Sequence, residues 1–200
     1  MDVQSQAYQL VESSGFPVVL GFEYYPVITL GKRAEVETEL FGSREKLLQQ
    51  GFEIAEIDRG GQATLHSPGQ LVIYPLVPIR KLNISVRDFI YLLEEATIEW
   101  LKKYSIEAFR KEDAGVFTPN GKIAFIGIRV EKGITRHGIS ININNDLELF
   151  GGIKSCGQIA RALDSLHLHG HEIDLKEAFD EWILYFTNEL FQKLPNPSVP

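Results

Sequence analysis

The sequence predicts an α+β fold, mixed β-sheets flanked by helices, and three observations carry that expectation. Apolar strand-like stretches come in groups instead of alternating one by one with helices, which argues against a doubly wound architecture. Two long stretches repeat apolar residues at three- and four-residue steps, the period of a helix with one buried face. Turn-forming Gly, Pro and Asn separate the members of each strand group.

The elements follow in chain order. Val18–Phe22 and Val27–Leu30 read as strands on either side of Tyr24-Tyr25-Pro26, the second closed by Gly31. Ser43 to Gln50 reads as a short helix ended by Gly51. Phe52 to Ile57 alternates apolar and polar residues, and Leu71 to Val77 is a near-continuous apolar run, the pattern of a buried strand. Ser85 to Tyr104 opens with Ser85 and Asp88 at capping-box spacing and predicts a helix. Gly115-Val116-Phe117, Lys122 to Val130 and Gly138 to Asn144 form the last strand group, with turns at Pro119-Asn120-Gly121 and Lys132-Gly133. The Asn120-Gly121 pair suits a tight hairpin. A final helix runs from Asp174 to Leu194, and Pro195 and Pro197 end it, so residues 195–200 are expected to fray. No repeat or low-complexity segment appears, and residues 1–200 read as one domain.

Composition narrows the function classes. A chain of 200 residues with 44% hydrophobic content can bury a sizeable core. Its net charge of −7 argues against a nucleic-acid partner, which calls for a basic face. One cysteine rules out an internal disulfide framework and a cysteine-rich zinc site. No apolar run approaches the ~20 residues of a membrane span. The opening MDVQSQAYQLVESSG lacks the basic start and apolar core of a secretory leader. A cytoplasmic monomer with no membrane partner is the expectation.

Four segments could carry chemistry. The first, Arg59-Gly60-Gly61-Gln62-Ala63-Thr64-Leu65-His66-Ser67-Pro68-Gly69-Gln70, places glycines where backbone donors can approach a carbonyl or an anion. A wide hairpin explains it equally well. The second, Gly121 to Gly127, sets Lys122 at the head of an apolar strand. Burial there would lower a lysine's pKa and make it a base, whereas an edge lysine that blocks aggregation is the plainer reading. The third, Thr135 to Asn144, alternates strictly, so its polar members share one sheet face, either a binding site or a solvated side. The fourth is Ser155-Cys156-Gly157. A thiol at a loop-to-helix junction is favoured as thiolate, although a lone cysteine is more often a small buried hydrophobe. His167-Leu168-His169-Gly170-His171 has no familiar zinc spacing and reads as a polar loop, so no metal is expected.

Taken in order, these segments resemble the octanoyltransferases of lipoate biosynthesis, whose fold is that of the biotin and lipoate protein ligases. The family's RGGQxTxHGPGQLxxYP stretch corresponds to RGGQATLHSPGQLVIYP, its KIAxIG to GKIAFIG, its THGxALNVNxDLxxF to TRHGISININNDLELF, and its PCG to SCG. The separation of 34 positions between Lys122 and Cys156 (156 − 122) also fits. The likeness covers roughly Pro26 to Gly157.

The resemblance implies transfer of an octanoyl group from acyl carrier protein to a lysine of a lipoyl domain, as in 2-oxoacid dehydrogenases and the glycine cleavage H protein. Cys156 would be the nucleophile that carries the acyl group, and Lys122 its proton-handling partner. The acyl site would be lined by Arg59, Gly60, Gly61, Gln62, Ala63, Thr64, Leu65 and His66, by Phe125, Ile126 and Gly127, and by Gly138, Ile139 and Ser140. Ile126 and Ile141 would wall an acyl tunnel. No cofactor is implied, because the incoming thioester is already activated. Three positions depart from the pattern: Ser67 replaces a glycine, Ser155 the proline before the cysteine, and Tyr25 a frequent histidine. A lipoyl-relay amidotransferase, an ATP-dependent lipoate ligase and a silent carrier-binding homologue are the alternative readings. An acidic chain that meets an acidic carrier needs a local basic dock, for which Lys32, Arg33, Arg129, Lys132 and Arg136 are candidates.

Overall fold

In the computed structural model, residues 2–34, 40, 44–153 and 162–193 are described. Helix α1 (Val3–Ser14) precedes strands β1 (Val18–Phe22) and β2 (Val27–Leu30). Helix α2 (Arg44–Gln49) leads to β3 (Glu53–Glu56), β4 (Ala63–His66) and β5 (Gln70–Leu76). After helix α3 (Val86–Lys102) come β6 (Phe109–Arg110), β7 (Gly115–Phe117), β8 (Lys122–Glu131) and β9 (Ile134–Asn142). Short 3-10 turns at Leu147–Gly152 and His167–His169 precede α4 (Leu175–Lys193).

The strands form a six-stranded sheet in the order β1-β5-β9-β8-β7-β6 and a three-stranded sheet in the order β3-β2-β4. Neighbours in the large sheet are all antiparallel. The small sheet is the mixed one, with β2 parallel to β3 and antiparallel to β4. Alternation on the large sheet sends Leu71 and Ile73 of β5, Ala124 of β8, and Ile139 and Ile141 of β9 to one face, where Phe89, Trp100, Trp182 and Phe186 of α3 and α4 cover them. Trp182 donates its indole N–H to Thr97 at 2.9 Å, so the one polar atom of that buried ring is satisfied. The opposite face turns toward the small sheet, whose own core holds Ile28, Leu30, Leu65, Phe125, Phe150 and Ile153.

Several local expectations need correction. Helix α1 has no counterpart in the sequence reading. Asp2 caps it by accepting from the Ser5 N–H at 2.8 Å, Gly15 ends it at φ 74°, and Ala7 and Val11 are its buried residues. The glycine-rich segment is not a hairpin: β4 belongs to the small sheet and β5 to the large one, so Ser67-Pro68-Gly69 carries the chain between sheets. The turn after β7 is tight, but Thr118 and Gly121 exchange both backbone bonds around Pro119-Asn120, so the Asn-Gly pair is not its centre. The β8–β9 turn is the one with left-handed residues, Lys132 at φ 48° and Gly133 at φ 84°. β9 also starts earlier than its alternation suggests, at Ile134.

Candidate active site

A cavity lies between the sheets, with about 540 Å³ of empty space that includes its opening to solvent. Its large-sheet wall comprises Lys122, Phe125, Ile126 and Gly127 of β8, His137, Gly138, Ile139 and Ser140 of β9, and Val72 and Tyr74 of β5. Ile57, Arg59, Gly61 and Gln62 from the loop after β3, with Ala63, Thr64 and His66 of β4, form the other side. Gly127 and Gly138 face each other in register, and the bare sheet there admits the loop. A Cβ on Gly127 would stand 3.1 Å from the Gly60 carbonyl oxygen. Gly60 donates to the Ile128 carbonyl at 3.0 Å. Gly60 and Leu65 do not line the cavity, and Leu65 packs into the small-sheet core.

Arg59 is buried and rigidly held. Its Nη2 donates to the Thr29 carbonyl at 2.7 Å and to the Thr29 hydroxyl at 2.9 Å, and Nη1 donates to the Gly60 carbonyl at 3.1 Å. The side chain thus braces its own loop against β2. Thr64 Oγ1 is buried and has no hydrogen-bond partner among the described residues, which leaves a hydroxyl beside the cavity for a ligand oxygen.

Lys122 occupies one end. β8 is interior to its sheet and Lys122 is 1% exposed, so the edge-lysine reading is overturned. Nζ donates to the Ala114 carbonyl at 2.8 Å and lies 5.1 Å from the ring centres of both Phe117 and Phe125. Gly115, at φ 135°, leaves room for the lysine tail, since a Cβ there would sit 2.5 Å from Lys122 Cε. The Gly115 N–H donates to Glu94 Oε1 at 2.9 Å, so Glu94 fixes the peptide that receives the ammonium. Burial pushes the Glu94 carboxyl up, while the Gly115 N–H, Arg110 and Lys122 oppose that shift.

The backbone of Lys122 is also the dock for a returning segment. Its N–H donates to the Ala162 carbonyl at 2.9 Å, and its carbonyl accepts from Asp164 N–H at 3.0 Å. The Asp164 carboxylate, fully buried, accepts from Thr118 and from His169, which clamps that segment. Residues 154–161, and with them Ser155, Cys156 and Gly157, lie outside the described residues. The polar face read from β9 is a buried network: Gln70 bridges His66 at 2.7 Å and Asn142 at 2.9 Å, and Asn142 donates to the Asp164 carbonyl at 3.0 Å. Ile141 belongs to the helix-side core and not to a tunnel wall, and Ile126 borders the cavity while packing against that same core.

Sequence reasoning left out Ile57, Val72, Tyr74 and His137. His137 is the most informative of these. Its φ of 56° breaks the strand locally, and its N–H leaves the sheet to bond Gln4 of α1 at 3.0 Å. Its Nε2 lies 2.6 Å from Asp58. Burial, then the charges of Arg136, Arg59 and Arg129, hold its pKa down to about 4. Asp2 opposes that shift, and Asp58 also pairs with Arg129, so a neutral imidazole donating to a carboxylate describes the contact best. Burial likewise brings His66 to about 4, against the bond from Gln70 and with help from Arg59 and His137. The loop histidines point to separate partners: His169 to Asp164, His171 to the Tyr104 carbonyl at 2.9 Å, and His167 toward Glu172 at 3.5 Å.

The model of the lipoyl protein ligase A/B catalytic domain matches residues 1–187. The chain belongs to that family. Within it, the similar relatives are octanoyltransferases. That of Caldicellulosiruptor saccharolyticus is 41% identical over 172 residues, 84% of this chain and 73% of its own. That of Alkaliphilus metalliredigens is 39% identical over 168 residues, 82% and 77% of the two chains. That of Xanthomonas euvesicatoria is 43% identical over 148 residues, 71% and 60%. The fold of the catalytic family is seen in a lipoate-protein ligase A bound with ATP, with TM-score 0.76, 16% identity, and 94% and 80% of the two chains covered. The bi-partite lipoate protein ligase of Thermoplasma acidophilum gives TM-score 0.73 at 16% identity, covering 94% and 78%. The Aquifex aeolicus biotin protein ligase is more distant, at TM-score 0.52 and 17% identity over 86% and 70%. Among the described residues, no helix is long and apolar enough to cross a membrane.

Proposed function

We propose that this octanoyltransferase-family enzyme takes an octanoyl group from an acyl-carrier-protein thioester, holds it on Cys156, and passes it to a lysine of a lipoyl domain. The single observation that carries the reading is Lys122. A buried ammonium sits at the end of an otherwise mainly apolar cavity, on the strand that docks the segment returning from Cys156. In sequence, Cys156 lies three residues after Ile153, which packs in the cluster of Phe125, and six before Ala162, whose carbonyl accepts from the Lys122 N–H (156 − 153; 162 − 156).

In the first half-reaction the Cys156 thiolate attacks the thioester carbonyl, the carrier thiolate leaves, and Lys122 supplies its proton. In the second, the acceptor amine attacks the Cys156 thioester, an amide forms, and the amine proton passes to Lys122 while the thiolate is regenerated. The glycine loop at Gly61 and Gln62 and the Thr64 hydroxyl offer donors to the carbonyl oxygen, and the apolar wall of Val72 and Phe125 takes the tail. The acceptors would be the lipoyl domains of 2-oxoacid dehydrogenases and the H protein, in the cytoplasm, with residues 1–200 acting as one catalytic domain. A lipoyl domain is the stated partner of the Thermoplasma ligase, which favours that acceptor class.

Incubation with octanoyl-carrier thioester should add one octanoyl group to the intact protein, and Cys156→Ala should abolish the adduct. An unmodified wild-type protein, or an adduct that survives Cys156→Ala, would overturn the proposal.

A further inference from the structure

The cavity ends, opposite Lys122, on a partition of rings. Tyr74, His66 and His137 line it, and the same three residues line a second, larger groove on the far side, bounded by α1, β3 and the β1–β2 connection. The partition is held by bonds that do not involve a ligand. The Tyr74 hydroxyl lies 3.2 Å from that of Tyr24, which belongs to the groove alone. The Tyr24 ring stacks at a tilt 5.8 Å from His66, and Tyr74 meets His137 edge-on at 5.9 Å. Gln70 fixes His66 and Asp58 fixes His137.

Length and polarity bear on what this wall does. Lys122 and His137 are opposite ends of the site, because His137 pairs with Ile128, six positions along β8 from Lys122 (128 − 122). At strand rise that backbone span is roughly 20 Å, and the Lys122 tail and the Tyr74, His66 and His137 rings fill part of it, so the free slot between them is shorter. Burial raises the pKa of Tyr74 and of Tyr24, so both hydroxyls stay protonated and the wall carries no phenolate. The groove beyond is bordered by the apolar Phe22, Val27 and Ala55 as well as by the charged Asp2, Glu53, Glu56, Asp58 and Arg136, and Ile57 lines both it and the slot, so apolar surface continues past the rings.

We infer that the Tyr74–Tyr24 hydroxyl pair closes the acyl slot and sets the longest acyl chain the enzyme accepts. Opening it joins slot and groove, and chains longer than octanoyl then pass between His66 and His137. This inference rests on the acyl-transfer reading above, and Tyr74 acts in it as a specificity-determining residue.

The test compares kcat/KM for octanoyl- and dodecanoyl-carrier thioesters in wild type, Tyr74→Ala and Tyr24→Ala. Wild type should prefer octanoyl. Tyr74→Ala should shift the dodecanoyl-to-octanoyl ratio upward by about tenfold or more, since each newly buried methylene is worth roughly fourfold. Tyr24→Ala, which loosens the pair from the groove side, should shift it in the same direction by less, and it decides the matter if Tyr74→Ala does not fold. A wild type that transfers both chains equally, or a ratio unchanged in the folded variants, overturns the inference. Thermal shift with free octanoic and dodecanoic acid gives a readout that needs no Cys156. If no acyl adduct forms at all, the transfer reading has failed. The partition then stands or falls on whether Tyr74→Ala, or Tyr24→Ala in its place, gains stabilisation by dodecanoic acid that wild type lacks.

Discussion

At Lys122, an amino group buried inside the protein meets the Ala114 carbonyl and two aromatic faces, an arrangement a merely structural residue would not need. A methionine would fill the same space between Phe117 and Phe125 with no charge to desolvate. Lys122→Met is therefore expected to fold at least as stably as wild type and yet to slow acyl transfer by about 10²–10⁴-fold, the usual contribution of a positioned proton-transfer group. Equal transfer rates in the two proteins would remove Lys122 from the mechanism. His66 and His137 make a second prediction, about pH. Both are neutral in the folded protein with pKa about 4, whereas the unfolded chain protonates them near pH 6.5. Above pH 6.5 neither state binds the proton and the pair contributes nothing to pH dependence. As pH falls from 6.5 toward 4, the unfolded state takes up protons first and stability drops, together by on the order of several kcal/mol. Urea midpoints measured across that window should fall steeply in wild type and less steeply in His66→Gln and His137→Gln. Identical slopes would show that carboxylates alone set the acid limit.

The pairing of β5 with β9 shows how an element carries the site and why part of it stays hidden in sequence. Gly138 is bare because a Cβ there would lie 2.1 Å from the Ile73 carbonyl oxygen and 2.6 Å from Pro75 Cδ, neither of which can swing away. Gly138→Ala should cost about 1–3 kcal/mol by forcing the two strands apart, and should weaken acyl transfer along with stability because Ser140 and Val72 share that pairing. A denaturation midpoint within error of wild type would contradict this. The cavity wall was legible through the family resemblance: Lys122, Phe125, Gly127, Gly138 and Ser140 stand in the stretches that carry it, whereas the residues alone favoured an edge lysine at Lys122. β5 was readable only as a strand. Both its faces are apolar, Leu71 and Ile73 against the helices and Val72 and Tyr74 toward the cavity, so a period of two gave no contrast between them. His137 escaped for a different reason. Its left-handed backbone and its tie to α1 are tertiary, and α1 itself buries only Ala7 and Val11, too thin an apolar stripe to announce a helix.

Over the whole molecule, the proposed reaction would bring an acidic carrier protein to a chain with net charge −7, which makes the location of uncompensated positive charge decisive. Three of the five candidate docking residues are committed elsewhere: Arg129 to Asp58, Arg136 to Glu131 at 3.1 Å, and Lys132 to Glu12 at 3.0 Å. Lys132 also stands at the β8–β9 turn, ten positions from Lys122 (132 − 122), roughly 30 Å along the strand. Lys32 and Arg33 are exposed, and no ion pair of theirs occurs among the described residues. Their backbone N–H groups bond the Arg59 and Gly61 carbonyls, which sets both cations on the outer side of the loop that lines the cavity. A carrier steered to them delivers its thioester toward the slot, and steering acts on encounter more than on chemistry. The double variant Lys32→Glu, Arg33→Glu should raise KM for octanoyl-carrier by about tenfold with kcat little changed, and should flatten the dependence of kcat/KM on salt. Lys132→Glu should do neither. If the double variant leaves KM intact, or if its defect persists undiminished in high salt, the carrier approaches by another face.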